Sequence, residues 1–222
     1  MTISSPRAAG PGPSIRQRLP SGAVNSADRR ARIVDAAAEL FIAHGYAGVS
    51  MEDVVTAVGG SKSTLYRYFT DKTELFRAAV EGRIGRLSEP LRSFQPGGDV
   101  TATLRKFGRY LADIVLAPEA IALHRLVQSE AERIPGPGET FLEHAPAVGN
   151  AILGRYLAEL CGQGVLELED PVLAAGQLFQ AMLGGLQMRM LMNPAAPPTR
   201  KEVERSIATA VEIFLNGAKT RT

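Results

Sequence analysis

Hydroxyl and cationic side chains are concentrated in residues 61–72, directly after two glycines. Hydroxyl, ammonium and guanidinium groups donate hydrogen bonds to phosphate oxygens, and small hydroxyl side chains also reach base edges in a groove. At the N-terminus of a helix, free backbone N–H groups and the positive end of the helix dipole add to the attraction for phosphate. The pattern therefore predicts a DNA-contacting surface, to which we assign Ser50, Ser61, Lys62, Ser63, Thr64, Tyr66, Arg67, Tyr68 and Lys72.

Two short helices on either side of the glycine pair would position these side chains. Ser50 directly precedes the first of these helices, and Asp53 stands three residues after Ser50, as in an approximate capping box. Glycine accepts the positive φ of a tight turn, and Ser61 can then cap a second helix that reaches about Tyr68. This spacing is typical of a helix-turn-helix, although a helix–glycine–helix segment of purely structural role stays open on spacing alone. It predicts apolar anchors at Met51, Val54, Val55, Val58, Leu65 and Phe69, and a following helix capped by Asp71.

The residue identities are more specific than the spacing. The run GxSKxTLYRYFxDKxxLF resembles the signature of the TetR (tetracycline-repressor) family, through Gly59, Ser61, Lys62, Thr64, Leu65, Tyr66, Tyr68, Phe69, Lys72, Leu75 and Phe76. Residues 31–54 are similar to the first helix of that family and to the entry of its second, so the resemblance covers about residues 29–80. It implies DNA-facing or phosphate-contacting places for Ser50, Ser61, Lys62, Thr64, Tyr66, Tyr68 and Lys72.

Two positions depart from the family's pattern. Members commonly have Ala-Gly-Val at the turn, where this chain has Val58, Gly59 and Gly60, and they often have Gly at the place of Ser63. Gly60 should remove an apolar anchor and loosen the turn, and Ser63 adds a hydroxyl to the contact region. Both changes bear on the operator sequence rather than on the mode of binding.

The remaining chain has helical periodicity, which predicts an all-α fold. The resemblance implies a three-helix N-terminal helix-turn-helix domain and a C-terminal helical domain for ligand binding and dimerisation. We expect a disordered tail over residues 1–27, acting either as an inert leader or as a basic arm on DNA, a DNA-binding domain over 28–75 and an effector-binding and dimerisation domain over 76–222. The first helix should begin at the N-cap Asp28 and stop at Gly45, and further helices are predicted at about 71–94, 99–116, 118–134, 139–162, 170–192 and 199–216.

Composition narrows the class of protein. The 222 residues are 45% hydrophobic and 22% charged, which favours a chain with a buried core. The single cysteine, Cys161, excludes an internal disulfide and fits the reducing cytoplasm. The N-terminus lacks the apolar core of a secretory signal, and polar residues interrupt the apolar stretch 171–192, so we expect no membrane span. The net charge is +2, and residues 1–90 hold 12 Lys and Arg against 9 Asp and Glu, as a DNA-reading N-terminal domain would require.

The last two helices carry heavy apolar faces. By resemblance they should form a four-helix bundle with their copies across a two-fold axis, with a monomeric core as the alternative. The glycine pair Gly184-Gly185 would allow close helix approach, and a two-fold dimer predicts a palindromic operator of double-stranded DNA. The predicted homodimer interface consists of Leu178, Phe179, Met182, Leu186, Met190, Ile207, Val211 and Phe214.

A pocket for a hydrophobic small-molecule effector is expected in the same domain. Residues 122–143 are similar to one C-terminal subtype of the family, and that subtype fixes no ligand. In the expected mechanism the effector shifts the helix from Asp71 toward Phe94, changes the spacing of the two reading helices and releases a repressor from its operator. The candidates for its lining are polar groups on otherwise apolar helices and apolar residues near them: Phe107, Tyr110, His124, Gln128, Phe141, His144, Tyr156, Gln180, Met182 and Gln187. For each polar residue, an exposed position or an ordinary hydrogen bond within the protein is the alternative.

No constellation of residues points to catalysis. His124, His144 and Cys161 are 20 and 17 residues apart, which matches no close-ligand metal pattern. The sequence has no glycine-rich phosphate loop after a strand and no G-x-S-x-G motif. We therefore expect no enzyme activity, no metal and no cofactor. A ligand-insensitive architectural DNA-binding protein, or an activator of the same fold, remains the alternative.

Overall fold

Helices make up the structure of this chain. The computed structural model describes residues 21–97 and 99–218, and the part of the predicted tail before residue 21 lies outside them. Within these residues no β-strand occurs, which confirms the all-α prediction, and none of the helices is long and apolar enough to cross a membrane. The helices are α1 (Ser21–His44), α2 (Met51–Val58), α3 (Lys62–Tyr68), α4 (Lys72–Arg92), α5 (Val100–Val115), α6 (Pro118–Glu130), α7 (Pro137–His144), α8 (Ala147–Gly162), α9 (Pro171–Phe179), α10 (Gly185–Met192) and α11 (Arg200–Ala218).

Three helix boundaries differ from the prediction. The first helix is already formed at Ser21, so Asp28 lies inside it rather than at its N-cap, and residues 21–27 do not belong to a tail. The predicted helix 139–162 is two helices, because Pro146, which has no N–H to donate, stands between α7 and α8. The predicted helix 118–134 ends at Glu130 and is followed by a turn. The C′ stop at Gly45 is confirmed by its φ of +73°.

An N-terminal hydrophobic cluster holds α1, α2 and α3 against the first half of α4. Phe41 and Phe76 are buried at its centre, with their rings in an edge-to-face arrangement 5.0 Å apart. Leu65 and Phe69 anchor α3 to the same cluster, as predicted. The cluster does not stop at the predicted domain boundary after residue 75, because it also contains Leu123, Leu126 and Val127 of α6.

A second hydrophobic cluster joins α5, α8, α9 and α11. A Cβ on Gly108 of α5 would lie only 2.8 Å from side-chain atoms of Ile207 and Met182, so a glycine is what lets α5 and α11 approach this closely. A Cβ on Gly185, in contrast, would have no atom of the protomer within 4 Å. Gly108 therefore permits a close approach between helices inside the protomer, and the role of the glycine pair in a dimer stays a prediction.

A π-helical turn, Gln180–Gly184, connects α9 and α10 in place of a regular α-helical turn. A π-turn frees carbonyl groups from the regular α-helical ladder, and here Ser206 Oγ of α11 donates to the carbonyl oxygen of Met182 at 2.6 Å. The predicted helix 170–192 is thus continuous but locally rewound, and α11 is tied to it at the rewound point.

Candidate nucleic-acid interface and internal cavity

The caps predicted for the helix-turn-helix are present. Ser50 N donates to Asp53 Oδ2 at 2.7 Å and Asp53 N donates to Ser50 Oγ at 3.2 Å, which completes the capping box. Thr64 N donates to Ser61 Oγ at 3.3 Å, and Asp71 caps α4 in the same way. Because these bonds replace those missing from each first turn, the sequence itself sets where α2, α3 and α4 begin.

The two sides of α3 differ sharply in exposure. Leu65 is buried, whereas Tyr66 keeps 49% of its surface exposed, and Lys62, Ser63 and Arg67 are also exposed. At the start of the helix, Ser61 Oγ shares hydrogen bonds with Ser63 Oγ at 2.8 Å and with Thr64 Oγ1 at 3.0 Å. The exposed side of α3 therefore presents hydroxyls and two cations, the groups that bind phosphate oxygens and base edges.

Lys62 already has a partner on the protein. Its ammonium group forms an ion pair with the carboxylate of Glu52 on α2, and the two side chains are 58% and 53% exposed. The hydrogen bond between them lowers the pKa of Glu52 and raises that of Lys62. Glu52 was not among the predicted contacts, since only the turn between the helices brings it to Lys62.

Tyr68 and Lys72 are less free than their positions in the sequence indicate. The hydroxyl of Tyr68 shares a 3.0 Å hydrogen bond with Ser26 of α1 and accepts one from Arg67 at 3.3 Å, and these bonds lower the pKa of Tyr68. Lys72 Nζ lies 4.1 Å from the centre of the Tyr46 ring, and burial lowers the pKa of this lysine. Both side chains therefore already have partners within the protein.

Arg29 of α1 holds the turn between α2 and α3. Gly59 and Gly60 have φ angles of +74° and +131°, as expected of glycine in a tight turn. Arg29 Nη2 donates to the carbonyl oxygen of Gly59 at 3.0 Å, and a Cβ on Gly60 would lie 2.4 Å from that nitrogen. The space that a side chain at position 60 would fill is thus occupied by Arg29, so the turn is fixed from α1 instead of being loosened by Gly60.

A cavity of about 260 Å³ lies among α4–α10. Five predicted ligand contacts line it: Phe107, His124, Phe141, Gln180 and Gln187. Most of the wall was not predicted from the sequence, including the two polar residues Ser88 and Asn150. The apolar remainder comprises Ile84, Leu87, Leu91, Leu111, Ile114, Val115, Ala120, Leu123, Leu142, Ala145, Pro146, Gly149, Leu153, Ala175 and Phe179.

The other five predicted ligand contacts lie outside the cavity. Tyr110 is exposed and packs edge-on against Phe94, and Gln128 is exposed on α6. His144 is exposed at the end of α7, where its Nδ1 is 2.9 Å from the carbonyl oxygen of Thr140. Tyr156 packs against the second hydrophobic cluster, and Met182 is buried within it. Periodicity identified the helices correctly, but a shift of one or two residues around a helix turns a side chain to another neighbour.

Most of the residues predicted for the dimer interface are buried within the protomer. Five of its residues are buried in the protomer's own core and are not available to a partner: Leu178, Met182, Met190, Ile207 and Val211. The other three, Phe179, Leu186 and Phe214, are half-buried. Leu186 and Phe214 line a surface groove together with Ala181, Thr209 and Ile213, and Ile213 is 68% exposed.

No metal centre is formed within the described ranges. No three His, Cys, Asp or Glu residues in 21–97 and 99–218 are grouped so that they could hold an ion. Of the residues considered earlier, His124 lines the cavity, His144 lies 4.0 Å from Glu81, and Cys161 is a half-buried free thiol.

Two family models match the chain. One, described as bacterial regulatory proteins of the tetR family, matches residues 33–79, which contain the helix-turn-helix. The other, described as the C-terminal domain of AefR-like transcriptional repressors, matches residues 102–217. The second model alone covers more than half of the chain and includes most of the cavity wall.

The individual proteins similar to this chain are also transcriptional regulators. The HTH-type transcriptional activator FasR of Mycolicibacterium smegmatis is 32% identical over 65 residues, which are 29% of this chain and 30% of FasR. This chain spans less than a third of the length of the first curated relatives that it matches. Two solved structures extend over the whole fold. A TetR-family regulator of Mesorhizobium loti has a TM-score of 0.81 at 29% identity and covers 88% of this chain and 98% of its own, and the flavonoid-responsive regulator FrrA has a TM-score of 0.75 at 26% identity and covers 88% and 100%.

Proposed function

The chain belongs to the TetR family of bacterial regulatory proteins, and on this premise we propose that it is a dimeric DNA-binding repressor released from its operator by a small-molecule effector. The observation that carries the proposal is a wall shared between the cavity and the N-terminal cluster. Ile84 of α4 and Leu123 of α6 line the cavity and are also core members of the cluster that holds α1, α2 and α3. A molecule that enters the cavity therefore presses on side chains that support the helix-turn-helix.

The exposed side of α3 is the proposed reading surface. Ser61, Ser63 and Thr64 would face base edges and phosphates, and Lys62 and Arg67 would supply positive charge. A single short helix reads few bases, so useful specificity requires two copies acting on two half-sites. A palindromic operator follows from this requirement.

The proposed dimer interface is the exposed face of α9, α10 and α11. Its apolar part is Ile213 with the half-buried Phe214 and Leu186, and Gly185 leaves open space in which a partner helix could approach. Pairing two such faces would bury apolar surface that the protomer leaves in water. Ile213→Glu of α11 should then yield monomers in sedimentation, whereas Val165→Glu, at an exposed apolar residue in the turn after α8 and outside this face, provides the matched control.

Selection of operator fragments by the purified protein tests the DNA-binding proposal. Random duplexes retained by the wild-type chain should contain two inverted half-sites, and Ser63→Gly should change the bases preferred within each half-site. A single unrepeated half-site, or no enrichment over input, would reject a two-fold reader.

The direction of regulation needs its own test, because names among the relatives differ. The matching C-terminal model is that of repressors, whereas FasR is named an activator. With a reporter driven by a genomic promoter that contains the selected operator, deletion of the gene for this protein should raise expression if the protein is a repressor. Lower expression on deletion would favour activation.

A further inference from the structure

The cavity is uncharged as well as apolar. None of the described residues that line it is Asp, Glu, Lys or Arg. An ion moved from water into such surroundings loses its hydration and meets no opposite charge, which is strongly unfavourable. The wall therefore selects against carboxylates and ammonium groups and in favour of neutral molecules.

One polar atom in this wall lacks a partner. His124 Nδ1 is buried without a hydrogen bond, and the imidazole lies 4.8 Å from the Phe141 ring with 46° between the two planes. Burial lowers the pKa of His124, so the ring is neutral at pH 7 and one of its nitrogens donates while the other accepts. A hydroxyl group can pair with whichever ring nitrogen it meets, in either tautomer, because a hydroxyl both donates and accepts, whereas a carboxylate only accepts.

We propose that the effector site takes an uncharged molecule of about two fused rings with one hydroxyl group that hydrogen-bonds to His124 and lies against Phe141. This assignment of a ligand class rests on the proposed function. The size follows from the volume of about 260 Å³. That volume exceeds the roughly 150 Å³ of an engineered cavity that holds benzene and falls just below the roughly 300 Å³ at which drug-sized pockets begin.

Three matched probes test the proposal by calorimetric titration of the full chain at pH 7.5 without DNA. The hydroxyl probe, 2-naphthol, should bind about fivefold to tenfold more tightly than 2-methylnaphthalene, which has the same shape and no hydrogen bond to offer. The anion 2-naphthoate should bind more weakly than either. Tightest binding by 2-naphthoate, equal binding by the two neutral probes, or no binding by any of the three would overturn the proposal.

Variants then attribute the preference to one side chain. His124→Phe keeps a flat ring but removes both nitrogens, so 2-naphthol and 2-methylnaphthalene should bind with equal affinity. His124→Asn keeps a polar atom near the place of Nδ1 and should retain part of the preference, which guards against misfolding of the first variant. His44→Phe, at the exposed end of α1, is the matched control and should bind the probes as wild type does. An undiminished preference for 2-naphthol in His124→Phe would refute the assignment.

Operator binding separates this inference from the proposed function. If 2-naphthol binds through His124 but does not lower operator affinity, the ligand class stands and effector release fails. If 2-naphthoate alone releases the operator, release stands and the ligand class fails.

Discussion

Replacing Lys62 by alanine should weaken operator binding in a way that depends on salt. Lys62 is exposed at the start of α3. Within the described residues, Glu52 is the one acidic residue with which its ammonium group forms an ion pair. A lysine that neutralises a phosphate releases counterions, so each lost contact lowers the slope of log K against log salt by about 0.9. A two-fold dimer loses two contacts, which makes the expected change in slope about 1.8.

The slope converts into a measurable ratio. Between 50 and 200 mM salt, wild-type affinity should fall roughly twelvefold more than that of Lys62→Ala, because a fourfold rise in salt is raised to the power of about 1.8. Fluorescence anisotropy with a labelled operator at four salt concentrations measures both slopes. Lys201→Ala, on the exposed start of α11, is the matched control and should keep the wild-type slope.

Glu52→Gln supplies the second half of this test. It frees Lys62 and removes a negative charge near the reading helix, so affinity should rise at every salt concentration while the slope does not fall. An unchanged slope in Lys62→Ala would mean that this lysine touches no phosphate. A loss of affinity in Glu52→Gln would mean instead that the ion pair holds α3 in its reading orientation.

Three further outcomes are expected. Met182→Ala should lower the free energy of unfolding in urea by about 2–5 kcal/mol at fixed protein concentration, because Met182 is fully buried; a loss below 1 kcal/mol would contradict its core position. Gly60→Val should destabilise by about 1–3 kcal/mol through its positive φ and its clash with Arg29, and Arg29→Ala in the same chain should relieve only the clash. The hydrogen bond from Arg189 and those at the start of α11 lower the pKa of Glu202 from 4.5 to about 2, so its contribution to stability is complete above pH 4.5 and is lost as the pH falls toward 2; Glu202→Gln should flatten that part of a pH–stability curve.

Local features of the fold could be predicted because their causes lie within a few residues. Ser50 and Asp53 form a capping box, and Gly59 takes a positive φ, through contacts that the neighbouring sequence contains. The buried anchor Leu65 follows from the same short-range pattern. For such features, the residues that form the sequence pattern are also the residues that make the stabilising contacts.

The contacts around the turn could not be predicted, because they join residues far apart in the chain. Arg29 reaches the carbonyl of Gly59 from 30 residues upstream. The family comparison indicated a missing apolar anchor at Gly60, but no local rule identifies which distant side chain fills the space. The conformation of the turn at Gly60 thus depends on α1 as well as on the glycine pair.

Helix phase explains why several predicted pocket and interface residues face other parts of the protomer. A helix such as α11 has apolar residues on more than one side, so Ile207 and Val211 face the protomer core while Ile213 faces outward. The sequence pattern shows that a stripe is apolar but not which neighbour covers it. Pocket residues are subject to the same limit, since Gln128 and His124 share α6 and only His124 lines the cavity.

Signal transfer through the molecule need not rely on α4 alone. The sequence suggested a shift of that helix, yet Leu123 and Phe141 connect α6 and α7 to both the cavity and the N-terminal cluster. The ring of Phe141 lies against His124, so a ligand that separates or compresses this pair changes the support of α1 from a second side. Because a ligand moves the equilibrium only by its different affinity for the two states, the strongest effectors should be those whose contacts span α4 and the His124–Phe141 pair together.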